Sequence, residues 1–187
     1  SMIALLKYGS GVPFYRLEKL QNTLGIPLPA STQWEIVEQV AGRIHPVFEE
    51  LKRQASRGEV IHNDDTTMKI LGLEKSDLQR AGNPSRRGTF TSGIVSVSEE
   101  HTIALFFTGT NHAGENLAEV LKSRSSGSDP PIQMCDAPAR NRSKEFETVL
   151  ANCLAHGRRR FVDVASSFPQ ECRFVLETLA AVYHHDA

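Results

Sequence analysis

Val60–Leu71 reads VIHNDDTTMKIL: an apolar, β-prone start that runs into two adjacent carboxylates and then two threonines. Like charges side by side repel each other, so the pair Asp64–Asp65 needs an explanation. In an extended strand successive side chains alternate between faces. Val60, His62 and Asp64 then share one face, and Ile61, Asn63 and Asp65 share the other, so the two carboxylates do not confront each other. The strand is expected to end at Asp64. Asp64 is the better candidate ligand, and Asp65 a supporting or turn-forming residue.

Outward from this stretch, the texture differs on the two sides. The N-terminal side reads helical. VPFYRLEKLQNTLG has Pro13 near its start, Phe14, Leu17 and Leu20 at three-residue spacing, and Gly25 as a stop. Ser31 or Thr32 is expected to cap a long amphipathic helix that carries Trp34 as a core residue, with Pro46 kinking or splitting it. A short helix, a Gly-containing turn and a second helix resemble a helix-turn-helix; a helical hairpin packed on the next domain is the plainer alternative. The expected boundaries are a helical segment over 1–57 and a core domain over 58–187.

The C-terminal side is β-rich and then mixed. LEKSDLQRAGNPSRRG is polar and Gly/Pro-punctuated, which predicts a loop. TFTSGIVSVS and HTIALFFTG predict a hairpin turning at Ser98–Glu100. GENLAEVLKSR predicts a helix with Leu117, Val120 and Leu121 on one face. IQMCD predicts a short buried strand ending at Asp136, and a further strand is expected around Val149–Cys153. Helices follow, the last of them with Pro169 near its start. Three strands, a crossover helix and a fourth strand give an α/β class. The order fits a ribonuclease H-like mixed sheet with flanking helices, preceded by the helical N-terminal segment; other α/β folds share the same string.

Composition sets bounds on function. The chain has 187 residues, 40% hydrophobic and 23% charged, enough for a packed core. No apolar run approaches the ~20 residues a bilayer span needs, and three widely spaced cysteines do not form a disulfide framework, so a cytoplasmic protein is expected. Cys153 and His156 have a C-x-x-H spacing, but no second close pair completes a zinc site. The net charge of −1 carries no global signal for nucleic acid. Local basic clusters do occur, at Ser85–Gly88, Ala139–Lys144 and His156–Phe161. Of Arg158, Arg159 and Arg160, two can face DNA phosphate while one pairs with an acid such as Asp163. His112 and Glu115 read as helix-start residues, with support of the nearby site as the alternative. His62 reads as a packed strand residue.

Two strand-end aspartates, Asp64 and Asp136, are the candidate catalytic and metal-binding pair. Phosphoryl transfer with two metals needs hard oxygen ligands from neighbouring strands. Turn-capping by each Asp is the structural alternative. The ordered set YGSGVPFYRLEKLQ, GIPLPASTQWEIVE, VIHNDDT, FFTGTNHAGENL, PPIQMCDAPARN and NCLAHGRRRFVDV spans nearly the whole chain. Together these segments resemble the DDE transposases of the insertion-sequence-sixty-six family. The resemblance implies a metal-dependent polynucleotidyl transferase that cuts and joins double-stranded DNA at transposon ends. It implies two Mg²⁺ (or Mn²⁺) ions in the intact enzyme and a homo-oligomer in the active complex. It maps the first two acidic residues onto Asp64 and Asp136, with Asp65, Thr66 and His156 in support and Arg140, Arg158 and Arg159 against DNA. The family's third acidic residue, a glutamate in an NN…ER context, is expected beyond this chain, so the expectation is a fragment inactive alone. A DNA-binding or assembly module with vestigial catalysis, and a ribonuclease H-like nuclease, are the competing functions.

Overall fold

The computed structural model describes residues 1–68, 88–136 and 138–185. The chain divides into two compact units, Ser1–Glu50 and Leu51–Ala187. The loop expected over Leu73–Gly88, with its Arg86–Arg87 cluster, lies outside the described residues except for Gly88.

In the first unit a short α-helical turn, Met2–Ala4, runs into a π-helical turn, Leu5–Gly9. Helix α1 (Phe14–Thr23) begins directly after Pro13, whose fixed φ suits a helix start. It ends before Gly25, which sits at φ +74°, a left-handed conformation that a side chain disfavours. Helix α2 (Ala30–Ala55) starts two or three residues earlier than a cap at Ser31 or Thr32 predicts. The reason is local: the Ala30 N–H donates to Glu18 Oε2 of α1 (3.3 Å), so a carboxylate from another helix takes the capping duty. Pro46 neither splits nor ends α2; the helix runs through it at the cost of one backbone hydrogen bond to the Gly42 carbonyl. Trp34 is not core either. It is half exposed, its ring edge-on to Phe14 at 6.1 Å, while the buried positions of this unit are Leu17, Gln33 and Val37. Gln33 is buried because its amide donates to the Leu28 carbonyl (2.8 Å) and Gln21 Oε1 (3.2 Å).

The second unit is mixed α/β. Strands β1 (Val60–Thr67), β2 (Phe90–Val97) and β3 (Thr102–Gly109) form an antiparallel meander. The β2–β3 turn is closed by the Ser98 N–H on the His101 carbonyl (2.9 Å) and the His101 N–H on Ser98 Oγ (3.1 Å). Helix α3 (Ala113–Leu121) then crosses over to β4 (Ile132–Cys135), which pairs parallel with β1. Strand β5 (Val149–Asn152) adds parallel to β4, giving the order β3-β2-β1-β4-β5. Helices α4 (Leu154–Val164) and α5 (Pro169–His185) follow.

One face of the sheet is covered by α3. Ala113, Leu117, Ala118, Val120 and Leu121 are buried on the helix, and Ile61, Ile94, Leu105 and Cys135 are buried on the strands. Burial of the Leu, Ile and Val side chains contributes roughly 1.5–3 kcal/mol each, which makes this layer the core. Asn116 joins it because its amide donates to Ser92 Oγ (2.8 Å). Arg124, just past α3, donates to the carbonyls of Ser56 (2.7 Å) and Gly58 (2.9 Å) and so fixes the chain that enters β1. The opposite face carries His62, Asp64, Val95, Phe106 and Met134. It is open enough that Phe106 is 68% exposed.

Candidate metal centre

The strand expected to end at Asp64 continues to Thr67, because β2 pairs with it along its whole length: Asp64 opposite Gly93, Asp65 opposite Ser92 and Thr66 opposite Thr91. What ends near Asp64 is the parallel pairing. The β1–β4 ladder runs Val60–Ile132, Ile61–Gln133 and His62–Met134, an offset of 134 − 62 = 72 residues. The same offset carried two residues further sets Asp64 beside Asp136, since 136 − 64 = 72. Alternation puts both side chains on the open face.

Beyond His62, β1 has no β4 partner, and the Asp65 N–H donates to Asp64 Oδ1 (2.8 Å). The gap between the strand ends is filled by a 3₁₀ turn, Ala139–Asn141. Asn141 Nδ2 lies within hydrogen-bond reach of Asp64 Oδ1 (3.4 Å) and also donates to Asp136 Oδ1. Each carboxylate therefore uses Oδ1 within the protein. Each Oδ2 is without a hydrogen-bond partner among the described residues.

The pair borders a recess of about 300 Å³ lined by His62, Asp64, Met134, Asp136, Cys153 and His156. His62 is thus an exposed group at the recess, not a packed strand residue. His156 reaches the same recess from the first turn of α4. Cys135 is buried next to Asp136. Burial first, and then the Asp136 charge, push its thiol above the ordinary range, so it stays protonated and a poor metal ligand.

Asp65 turns to the covered face, where its side chain is only 1% exposed. Asp65 Oδ2 bonds His112 Nδ1 (2.8 Å) and accepts from the Ala113 N–H (3.4 Å), while Oδ1 lies 3.6 Å from Arg140 Nε. This places a carboxylate at the N-terminus of α3, where the helix dipole favours negative charge. Glu115 Oε2 accepts from the His112 N–H (2.9 Å), so the helix-start role of His112 and Glu115 and their link to the dipeptide are two parts of one arrangement. The ring of His112 lies against Phe90 at 4.2 Å between centroids.

The remaining sequence candidates are scattered. Thr66 is exposed on β1, on the face of Asp64. Arg158, Arg159 and Arg160 are all exposed on α4, and the ion pair expected between one of them and Asp163 is not formed among the described residues. Arg140 is half exposed beside Asp65 and lines a second recess, of about 170 Å³, with His112, Arg142 and Lys144. Sequence patterns marked Ala139–Lys144 for its charges. The residue of that stretch that reaches both carboxylates is a neutral one, Asn141, and the amides of Asn63 and Gln133 hold its backbone carbonyl from beneath.

The donor set suits a hard divalent cation. Among the described residues no three His, Cys, Asp or Glu side chains gather to hold a metal by themselves. Two aspartates on adjacent strands, each with an Oδ2 that has no hydrogen-bond partner among the described residues, fit an ion such as Mg²⁺, which usually takes one or two carboxylates and fills its shell with water and substrate phosphate. No helix among the described residues is long and apolar enough to cross a membrane. Compared with known families, the chain matches the model of the Transposase IS66 family over residues 1–187. Comparison with curated proteins and with solved structures gives no match.

Proposed function

The chain belongs to the Transposase IS66 family, and on that premise we propose that Asp64 and Asp136 are the cation-holding pair of a DNA-cutting and DNA-joining centre on a ribonuclease H-like sheet. The observation that carries this reading is the convergence of the two carboxylates, 72 residues apart, at the point where the β1–β4 pairing stops. The strand order β3-β2-β1-β4-β5, with β2 the antiparallel member and α3 the crossover, supports the ribonuclease H-like assignment.

The substrate is double-stranded DNA at the ends of the mobile element, acted on by a homo-oligomer. The reaction is in-line transesterification at phosphorus: a hydroxyl oxygen forms the new P–O bond as the 3′ oxygen leaves from the opposite side. Asp64 and Asp136 would hold Mg²⁺ or Mn²⁺, which when bound would supply charge stabilisation at the phosphoryl oxygens and acidify the attacking hydroxyl. The protein's own groups hold and orient. Asp64 and Asp136 line the recess together with His156. Arg158 and Arg159 on α4, with Arg140, supply positive charge for the DNA backbone, which positions without reading sequence. Asp65 holds the α3 terminus and Arg140 in place and takes no part in cation binding.

Titration calorimetry with Mn²⁺ tests this. Wild-type chain is expected to bind, and Asp64→Asn and Asp136→Asn each to lose binding. Equal heats in all three proteins would contradict the assignment.

A further inference from the structure

We propose that Asn141 is a positioning residue whose side-chain amide clamps the Asp64 and Asp136 carboxylates together before any cation arrives; the inference rests on the cation-pair reading above. An Asn Nδ2 carries two hydrogens, one for each acceptor. Here the acceptors are Asp64 Oδ1 (3.4 Å) and Asp136 Oδ1. The orientation of the amide follows from charge. Turned the other way, Asn141 would set its carbonyl oxygen against two carboxylate oxygens, so the oxygen faces away, buried and without a partner among the described residues.

The clamp is held independently of the carboxylates. Asn141 is completely buried, and its backbone carbonyl accepts from Asn63 Nδ2 (2.7 Å) on β1 and Gln133 Nε2 (2.7 Å) on β4. Gln133 Nε2 also donates to Asn63 Oδ1 (2.9 Å), and Gln133 Oε1 accepts from Thr148 Oγ1 (3.0 Å). The turn is pressed on the first turn of α3 as well: a Cβ on Gly114 would stand 2.2 Å from the Arg142 carbonyl oxygen and 2.7 Å from that of Arg140. Three elements therefore fix the turn through neutral groups, and the Asn141 side chain is left to serve the carboxylates.

The neutrality of the clamp is its chemical point. Two ionised carboxylates at one place repel, and each hydrogen bond to a charged group offsets part of that cost. A lysine or arginine in the same position would cancel the charge that attracts a cation. An amide donor gathers the pair and leaves both charges in place. Cation binding then does not have to pull the strand ends together, the preorganisation that a binding site gains from such supporting contacts.

Two measurements on the full chain test the clamp. The first is side-chain amide NMR of ¹⁵N-labelled protein without divalent cation. The Asn141 Nδ2H₂ signals are expected to be shifted and protected from solvent exchange in wild type, and to move in both Asp64→Ala and Asp136→Ala. Signals at the same place in all three proteins would overturn the proposal. The second is Mn²⁺ titration of Asn141→Leu, which keeps the volume and removes the donor. Loss of a charge-assisted hydrogen bond from each carboxylate is expected to raise the Kd about ten-fold, with the melting temperature of the cation-free protein lowered by only a few degrees. An unchanged or tighter Kd would overturn the clamp. Wild-type protein that binds no Mn²⁺ would instead contradict the cation-pair reading, and the amide signal, read without cation, separates the two failures.

Discussion

Asp64 and Asp65 are identical side chains on consecutive residues of β1, yet one lies on the open face of the sheet and the other on the face covered by α3. Asp65 is almost wholly buried and engages His112, Arg140 and the Ala113 N–H. Asp64 is exposed and, among the described residues, meets only the Asp65 N–H and the Asn141 amide, both through Oδ1. On the function proposed above, the alternation of the strand separates a structural acid, Asp65, from a cation-holding one, Asp64, within a single dipeptide. The same division runs across the whole sheet: the covered face carries the packing, and the open face carries the two carboxylates to which the proposed function assigns the chemistry.

Substitutions that contrast the faces should sharpen this division or break it. The largest effect is expected for Leu117→Ala, which empties a fully buried position on α3; urea denaturation should show a loss of about 3 kcal/mol. Phe106→Ala, on the open face, should change stability by under about 1 kcal/mol. Equal losses would mean that something packs on the open face as tightly as α3 packs on the other.

Within the dipeptide the contrast should be nearly as large. Asp65→Ala leaves His112, Arg140 and the first N–H of α3 without their acceptor, and a loss of about 2–3 kcal/mol is expected. Asp64→Asn removes one of two like charges where the β1–β4 pairing stops and should leave stability within about 0.5 kcal/mol of wild type. If Asp64→Asn proved the more damaging of the two, the assignment of roles would be reversed.

The smallest effect concerns DNA. Arg158→Ala and Arg159→Ala remove exposed charges, and each should lower the slope of log affinity against log salt by about 0.9. Arg140→Ala should lower it less, because Arg140 lies beside the buried Asp65 carboxylate. A slope unaffected by Arg158 and Arg159 would remove α4 from the DNA-facing surface.

Much of this was legible in the sequence. The β-branched runs of β2 and β3, the Leu117/Val120/Leu121 face of α3 and the short strands at Ile132 and Val149 each follow from local pattern, and the structure forms them there. The chain is also a member of the family that its ordered motifs resemble. What was not legible depended on partners far along the chain. Asp64 looked like a strand end because its charge breaks the apolar run, but β2 keeps pairing past it and only β4 stops. Trp34 has helical spacing yet lies beside the buried stripe, and the cap of α2 comes from Glu18 rather than from Ser31 or Thr32. Asn141 gave no signal at all, since a neutral side chain among arginines shows its role only once β1 and β4 are adjacent.

The most direct test is to locate a cation. Crystals grown with Mn²⁺ should show anomalous density within coordination distance, about 2.0–2.2 Å, of Oδ2 of both Asp64 and Asp136, with Asp65 still bonded to His112. Density at Asp65 instead, or a Mn²⁺ ion bound elsewhere with Asp64 and Asp136 bare, would contradict the account.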